Sequence, residues 1–163
     1  YHLSLSRTME TETIVLKIMR LKGADPNIAL PCYKTSGAVG ADVRANFLNR
    51  EGIILACSER KLVPTGLALA IPRGFEIQIR PRSGLALQHG LTLVNSPGTI
   101  DSDYRGEVGI IVLNTSDKQF EITHGMRIAQ LVLAPVLQAE FEEVTRLDET
   151  DRGTSGFGST GAF

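Results

Sequence analysis

The chain has 163 residues, a formal net charge of −1 and two cysteines. At ~100–200 residues per domain the length implies one domain, large enough to bury a core. The near-neutral charge excludes a strongly basic nucleic-acid surface, and Cys32 and Cys57 alone exclude a disulfide framework. No apolar run approaches the ~20 residues of a spanning helix. The expectation is therefore a chain with no nucleic acid and no membrane, in a reducing, cytoplasmic setting.

Tyr1 to Thr8 lacks the pattern of a signal peptide and reads as a remnant or frayed arm, with Met9 the expected start. Ile14 to Met19 is a β-branched, apolar run, the first expected strand. Lys22 to Pro31 reads as loop. Ser36 to Asp42 is small and glycine-rich, suited to a close approach of backbone, and ends on a carboxylate. Ile53 to Leu55, Lys61 to Pro64 and Leu67 to Ile71 are short strands. Phe75 to Arg80 alternates cleanly, with Phe75, Ile77 and Ile79 on one side. Ser83 to His89 fits one short helix, capped by Ser83 and ended by Gly90.

Val94 to Val108 is the densest stretch of turn formers and carboxylates. Pro97 and Gly98 make a turn, Thr99 and Ile100 a short strand, and Asp101 to Asp103 a second bend. The punctuation is that of a β-hairpin, with Asn95 at its mouth. Val108 to Leu113, Gln119 to Ile122, Arg127 to Val136 and Glu140 to Val144 complete the strands. Short strands at regular spacing, without a long amphipathic helix, predict an all-β fold. It is expected as a distorted jelly roll or β-sandwich barrel with at most one short helix. The organisation is an arm over 1–8, a β domain over 9–145 and a flexible C-terminal arm over 146–163. The last is rich in Gly, Ser and Thr, yet carries Phe157, unusual for a mere linker.

Four constellations have a chemical reading beside an ordinary one. Arg80-Pro81-Arg82-Ser83-Gly84 is either two solvated arginines beside a helix or a grip for phosphate. Asp101 and Asp103 either bond their own turn or place a water or, through waters, magnesium. With Ile100 and Tyr104 alongside, Asp101 is expected to be partly desolvated and able to deprotonate a water. Tyr104 either plugs the base of the hairpin or packs on a sugar or base. Gln130 is a polar residue in an apolar run and needs a partner, from a backbone edge or a ligand. The tail from Arg152 to Gly161 is a disordered end or a lid. The three histidines are scattered, and no spacing suits zinc. Nothing in the spacing supports a triad of Ser83, His89 and Asp101.

In order, Gly40-Ala41-Asp42, Arg80 to Ala86, Val94 to Val108, Gly125 to Val136 and Arg152 to Gly161 resemble the five motifs of the trimeric dUTPases, the deoxyuridine triphosphate nucleotidohydrolase family. The resemblance covers nearly all of the chain from Met9. It implies a jelly-roll homotrimer with shared active sites that cleaves dUTP to dUMP and pyrophosphate. By the same resemblance Asp101 activates the attacking water and meets the sugar 3′-hydroxyl, and Tyr104 packs under the deoxyribose and excludes UTP. Asn95 and the backbone near Thr99, Ile100 and Gly109 read uracil. Arg82, Ser83 and Gly84 hold phosphates, and Gln130 reaches the phosphate end. Mg2+ is carried mainly by the substrate phosphates, with Asp42 behind its waters. Arg152, Phe157, Ser159 and Thr160 belong to the closing tail. A dCTP deaminase would need an acid near Ala86 or Gln88, and a non-catalytic sensor would be expected to lack the carboxylate or the tail.

Overall fold

A computed structural model describes residues 13–156. The chain runs β1 (Lys17–Arg20), β2 (Ala41–Arg44), β3 (Ile53–Leu55), β4 (Arg60–Ala70), β5 (Phe75–Arg80), α1 (Ser83–His89), β6 (Leu91–Leu93), β7 (Gly98–Ile100), β8 (Glu107–Asn114), β9 (Phe120–Ile122) and β10 (Arg127–Pro135). Two four-stranded antiparallel sheets, ordered β1-β4-β8-β6 and β2-β10-β5-β7, enclose the core, and β3 pairs with β9. The architecture is the expected all-β, jelly-roll-like one, with a single short helix among the described residues.

Alternation explains the packing. In β8, Val108, Ile110 and Val112 are buried, while Glu107, Gly109 and Ile111 face away from the core. Ile77 and Ile79 of β5 enter the same core, which also contains Val43, Leu55, Val63 and Ile122. A polar node ties the loops to it. Asn46 is 1% exposed; its side chain accepts from the Asp25 amide at 2.9 Å and donates to the Asp25 carbonyl at 3.2 Å. The Phe47 amide donates to His124 Nδ1, so in the neutral ring Nε2 carries the proton facing Asp25 Oδ2, 3.1 Å away. The Asn27 amide, then His124, hold the Asp25 carboxyl below its ordinary value of 3.8.

Several elements differ from the sequence expectation. Lys61–Pro64 and Leu67–Ile71 are not two strands. They join in β4, whose register shifts between Pro64 and Ala68 around Gly66, at φ +66. Val94 to Val108 is no ladder-paired hairpin, because β7 pairs with β5 and β8 with β4 and β6. The stretch crosses from one sheet to the other. Glu140 to Val144 forms no strand. Phe141 and Val144, its two apolar residues, are three apart and cannot share one strand face, no strand among the described residues pairs with the segment, and Phe141 is 96% exposed. Ser83 is the first helical residue rather than the cap; Arg82 holds the N-cap without a side-chain cap bond. Gly90 ends α1 in the left-handed conformation as expected. The short strands β2 and β6 were not expected.

Candidate active site

The crossing between sheets builds a cleft. Leu62, Pro64, Glu107, Gly109 and Ile111 share one face of the β4–β8 pair, away from the core. The Asp101–Gly106 turn lies beside that face. Between them is a cavity of about 290 Å³ lined by Leu62, Thr99, Ile100, Asp101, Tyr104, Glu107, Val108, Gly109 and Ile111. Five of the expected site residues, Thr99, Ile100, Asp101, Tyr104 and Gly109, therefore meet in one place. Two glycines shape it. A Cβ at 109 would come within 2.6 Å of Leu62 Cδ1, and a Cβ at 106 would overlap the Tyr104 ring and hydroxyl. Tyr104, 48% exposed, donates from its hydroxyl to the Glu107 carbonyl at 3.1 Å. It is thus a cleft wall, not a buried plug.

Asp101 is exposed in the single chain, which corrects the expectation of partial desolvation. The turn after β7 carries it past the last buried residue, Ile100, and nothing among the described residues covers it. Among the described residues it forms no ion pair, so its carboxylate lone pairs are free to accept a proton. Asn95 is exposed in the turn before β7, beyond the lining of the cleft, with its amide against Gly98.

A second cluster lies where β2, β10 and the end of β5 meet. Asp42 Oδ1 accepts from Arg82 Nε at 3.0 Å, and Oδ2 accepts from Arg127 Nη1 at 3.1 Å. Arg82 also donates to the Arg127 carbonyl at 3.3 Å. Two guanidiniums on one carboxylate leave a net positive charge. Gln130 sits in register between Asp42 and Arg80. A Cβ at Gly40 would overlap the Gln130 side-chain oxygen, so the backbone approach expected of the glycine-rich stretch is to this amide. Ser83 and Gly84 are exposed at the start of α1, next to Arg82.

The two clusters are separate within one chain. Asp101 follows Ile100, which pairs with Ile77, whereas Arg82 lies beyond Arg80 at the other end of β5. From Glu76 to Arg80 is roughly 13 Å of strand. Arg152 joins neither cluster; its Nε donates to the Ser155 carbonyl at 2.9 Å. Phe157, Ser159 and Thr160 lie outside the described residues. Among the described residues no group of three or more His, Cys, Asp or Glu side chains could hold a metal. With each Asp42 oxygen taking a guanidinium, the donor set does not fit a protein-held magnesium ion. Sequence reading overlooked Glu107 and Leu62 in the cleft and Arg127 on Asp42. Glu107 had a signal, as the outward partner of Gly109 in the β8 alternation.

A family profile described as dUTPase matches residues 26–161, most of the chain and both clusters. The chain belongs to the dUTPase family. The deoxyuridine 5′-triphosphate nucleotidohydrolase of Roseobacter denitrificans is 64% identical over 148 residues, spanning 91% of this chain and 97% of that protein. The protein of the same name from Dinoroseobacter shibae is 53% identical over 152 residues, 91% of this chain and 98% of its own. Among solved structures, the dUTPase of Staphylococcus bacteriophage 80alpha with dUPNHPP aligns at a TM-score of 0.79 and 26% identity. That alignment covers 92% of this chain and 100% of the phage chain. No helix among the described residues is long and apolar enough to cross a membrane.

Proposed function

We propose that this dUTPase-family chain hydrolyses dUTP to dUMP and pyrophosphate by attack of water on the α-phosphorus, which keeps uracil out of DNA and supplies dUMP. The carrying observation is the cleft itself: Asp101, a carboxylate with no ion pair among the described residues, shares it with Tyr104 and with the backbone of Thr99, Ile100 and Gly109. Uracil is a flat ring with amide-like edges, and strand backbone N–H and C=O groups match it. Asn95 adds a side-chain amide at the base end. Tyr104 beneath the deoxyribose leaves no space for a 2′-hydroxyl.

Asp101 orients a water, accepts its proton as the oxygen closes on phosphorus, and meets the sugar 3′-hydroxyl. A triphosphate repels an incoming oxygen by its negative charge. Arg82, with Ser83 and Gly84 beside it and Gln130 at the phosphate end, screens that charge. Magnesium belongs to this reading as part of the substrate, borne by the phosphates and screening them, with Asp42 reached only through its waters. A dCTP deaminase reading lacks its acid, since α1 carries no carboxylate.

A separation of roughly 13 Å or more along β5 between the carboxylate end and the arginine end favours sites completed across subunits of a homotrimer. Arg152, Phe157, Ser159 and Thr160 would then close over a site as a lid that excludes water. A cytoplasmic location goes with a nucleotide-pool substrate and with free Cys32 and Cys57. The test is pyrophosphate release from dUTP, UTP, dTTP and dCTP in the presence of magnesium. Release from dUTP alone is expected; equal release from all four, or none, would contradict the reading.

A further inference from the structure

The cleft strand is gripped from behind by an irregularity in its neighbour. Where β4 shifts register, Thr65 is 1% exposed, and its hydroxyl donates to the Val108 carbonyl at 2.6 Å while accepting from the Leu67 amide at 3.3 Å. The next residue, Gly66, donates its amide to Glu107 Oε1 at 2.8 Å. Two consecutive residues of the bulge thus hold two consecutive residues of β8, Glu107 by its side chain and Val108 by its backbone. The bulge itself is anchored on its far side. The Leu21 amide donates to the Gly66 carbonyl, the Asn46 amide donates to the Pro64 carbonyl, both at 2.9 Å, and a Cβ at Gly66 would come within 2.6 Å of Ala24.

Glu107 is also where Tyr104 docks, because its carbonyl accepts the tyrosine hydroxyl at 3.1 Å. The ring reaches that carbonyl only because Gly106 carries no side chain. A single residue therefore joins the bulge, through its carboxylate, to the tyrosine, through its backbone. We infer that Glu107, held by the Thr65–Gly66 bulge, is a positioning residue that fixes the height of the Tyr104 ring in the cleft and so sets discrimination between deoxyribo- and ribonucleotides. The inference rests on the dUTP-hydrolysis reading and names a residue that reading does not use. Glu107 touches neither the reacting phosphorus nor the water; it acts through Tyr104. Because the grip is a backbone N–H on a carboxylate oxygen, a glutamine retains the acceptor and an alanine does not.

The experiment measures kcat and KM for dUTP and UTP in wild type, E107Q, E107A, Y104F and the E107A/Y104F double variant. E107A is expected to lower the ratio of kcat/KM for dUTP over UTP about tenfold, with the dUTP loss carried mainly by KM. E107Q should stay within about threefold of wild type on that ratio. The double variant should lose no more discrimination than the worse single one, because both changes break one linkage. A wild-type ratio in E107A, equal losses in E107Q and E107A, or multiplying losses in the double variant would overturn the inference. If E107A does not fold, T65V against T65S decides: loss of the ratio in T65V, restored by the serine hydroxyl, supports it, and equal ratios overturn it. Wild-type protein without dUTP turnover would overturn the functional reading and this inference with it. Wild-type turnover with an unchanged E107A ratio would overturn this inference alone.

Discussion

At the scale of single residues, missing side chains matter as much as present ones. Gly40 leaves room for the Gln130 amide, and Gly106 for the Tyr104 ring. Gly40→Ala must displace the Gln130 side-chain amide from its place against the residue 40 backbone. A thermal melt should register a destabilisation of about 1–3 kcal/mol, the usual cost of overpacking, and the KM for dUTP should rise. An unchanged melt and KM would mean that Gln130 has room to move. Asp25 gives a prediction in pH. Its folded pKa lies below the ordinary 3.8, held there first by the Asn27 amide and then by His124. A depressed carboxyl contributes stability above its unfolded pKa and loses it as pH falls through the folded value. Wild type should therefore lose stability on acidification below about pH 4, and Asp25→Asn should show a flatter acid limb in the same titration. Identical acid limbs would remove Asp25 from the account.

At the scale of elements, periodicity was legible wherever an element buries one face within its own chain. Phe75 to Arg80 and Val108 to Leu113 read as strands and are strands. The turn formers of Val94 to Val108 also marked the cleft, and two of its residues, Asp101 and Tyr104, were legible as site candidates from their types alone, while Thr99 and Ile100 entered through the family resemblance. Their pairing was not legible. Turn residues announce a reversal, and only the sheet partner decides whether the two arms pair with each other or with other strands. The bulge at Gly66 was hidden for a related reason: Pro64 and Gly66 look like a break, while the ladder of β8 continues on either side. Glu140 to Val144 has its apolar residues three apart, which no strand face can gather, and no partner among the described residues. Ending the chain after Arg146 removes the proposed lid while leaving β1 to β10 in place. That variant should keep its melting temperature and lose most turnover, at least about tenfold on the usual contribution of closure. Loss of the fold instead would assign the segment a structural role.

At the scale of the whole molecule, the distribution of the two clusters is what motivates the proposed homotrimer. Asp101 sits at one end of β5 and Arg82 at the other, so one substrate meets both most simply across two copies of the chain. Mixing an inactive Asp101→Asn protein with an inactive Arg82→Ala protein under subunit exchange should restore activity, because hybrid trimers contain sites with both groups intact. No recovery would place both groups of a site in one chain. Light scattering on the same samples should give the mass of a trimer. The proposed role of Asp101 is to activate the water that attacks dUTP. Its most direct measurement is pyrophosphate release by Asp101→Asn beside its affinity for a non-hydrolysable dUTP analogue. Turnover should fall by a factor of about 10² or more, in line with general-base catalysis, with analogue binding retained. Near-normal turnover in that variant would contradict the account.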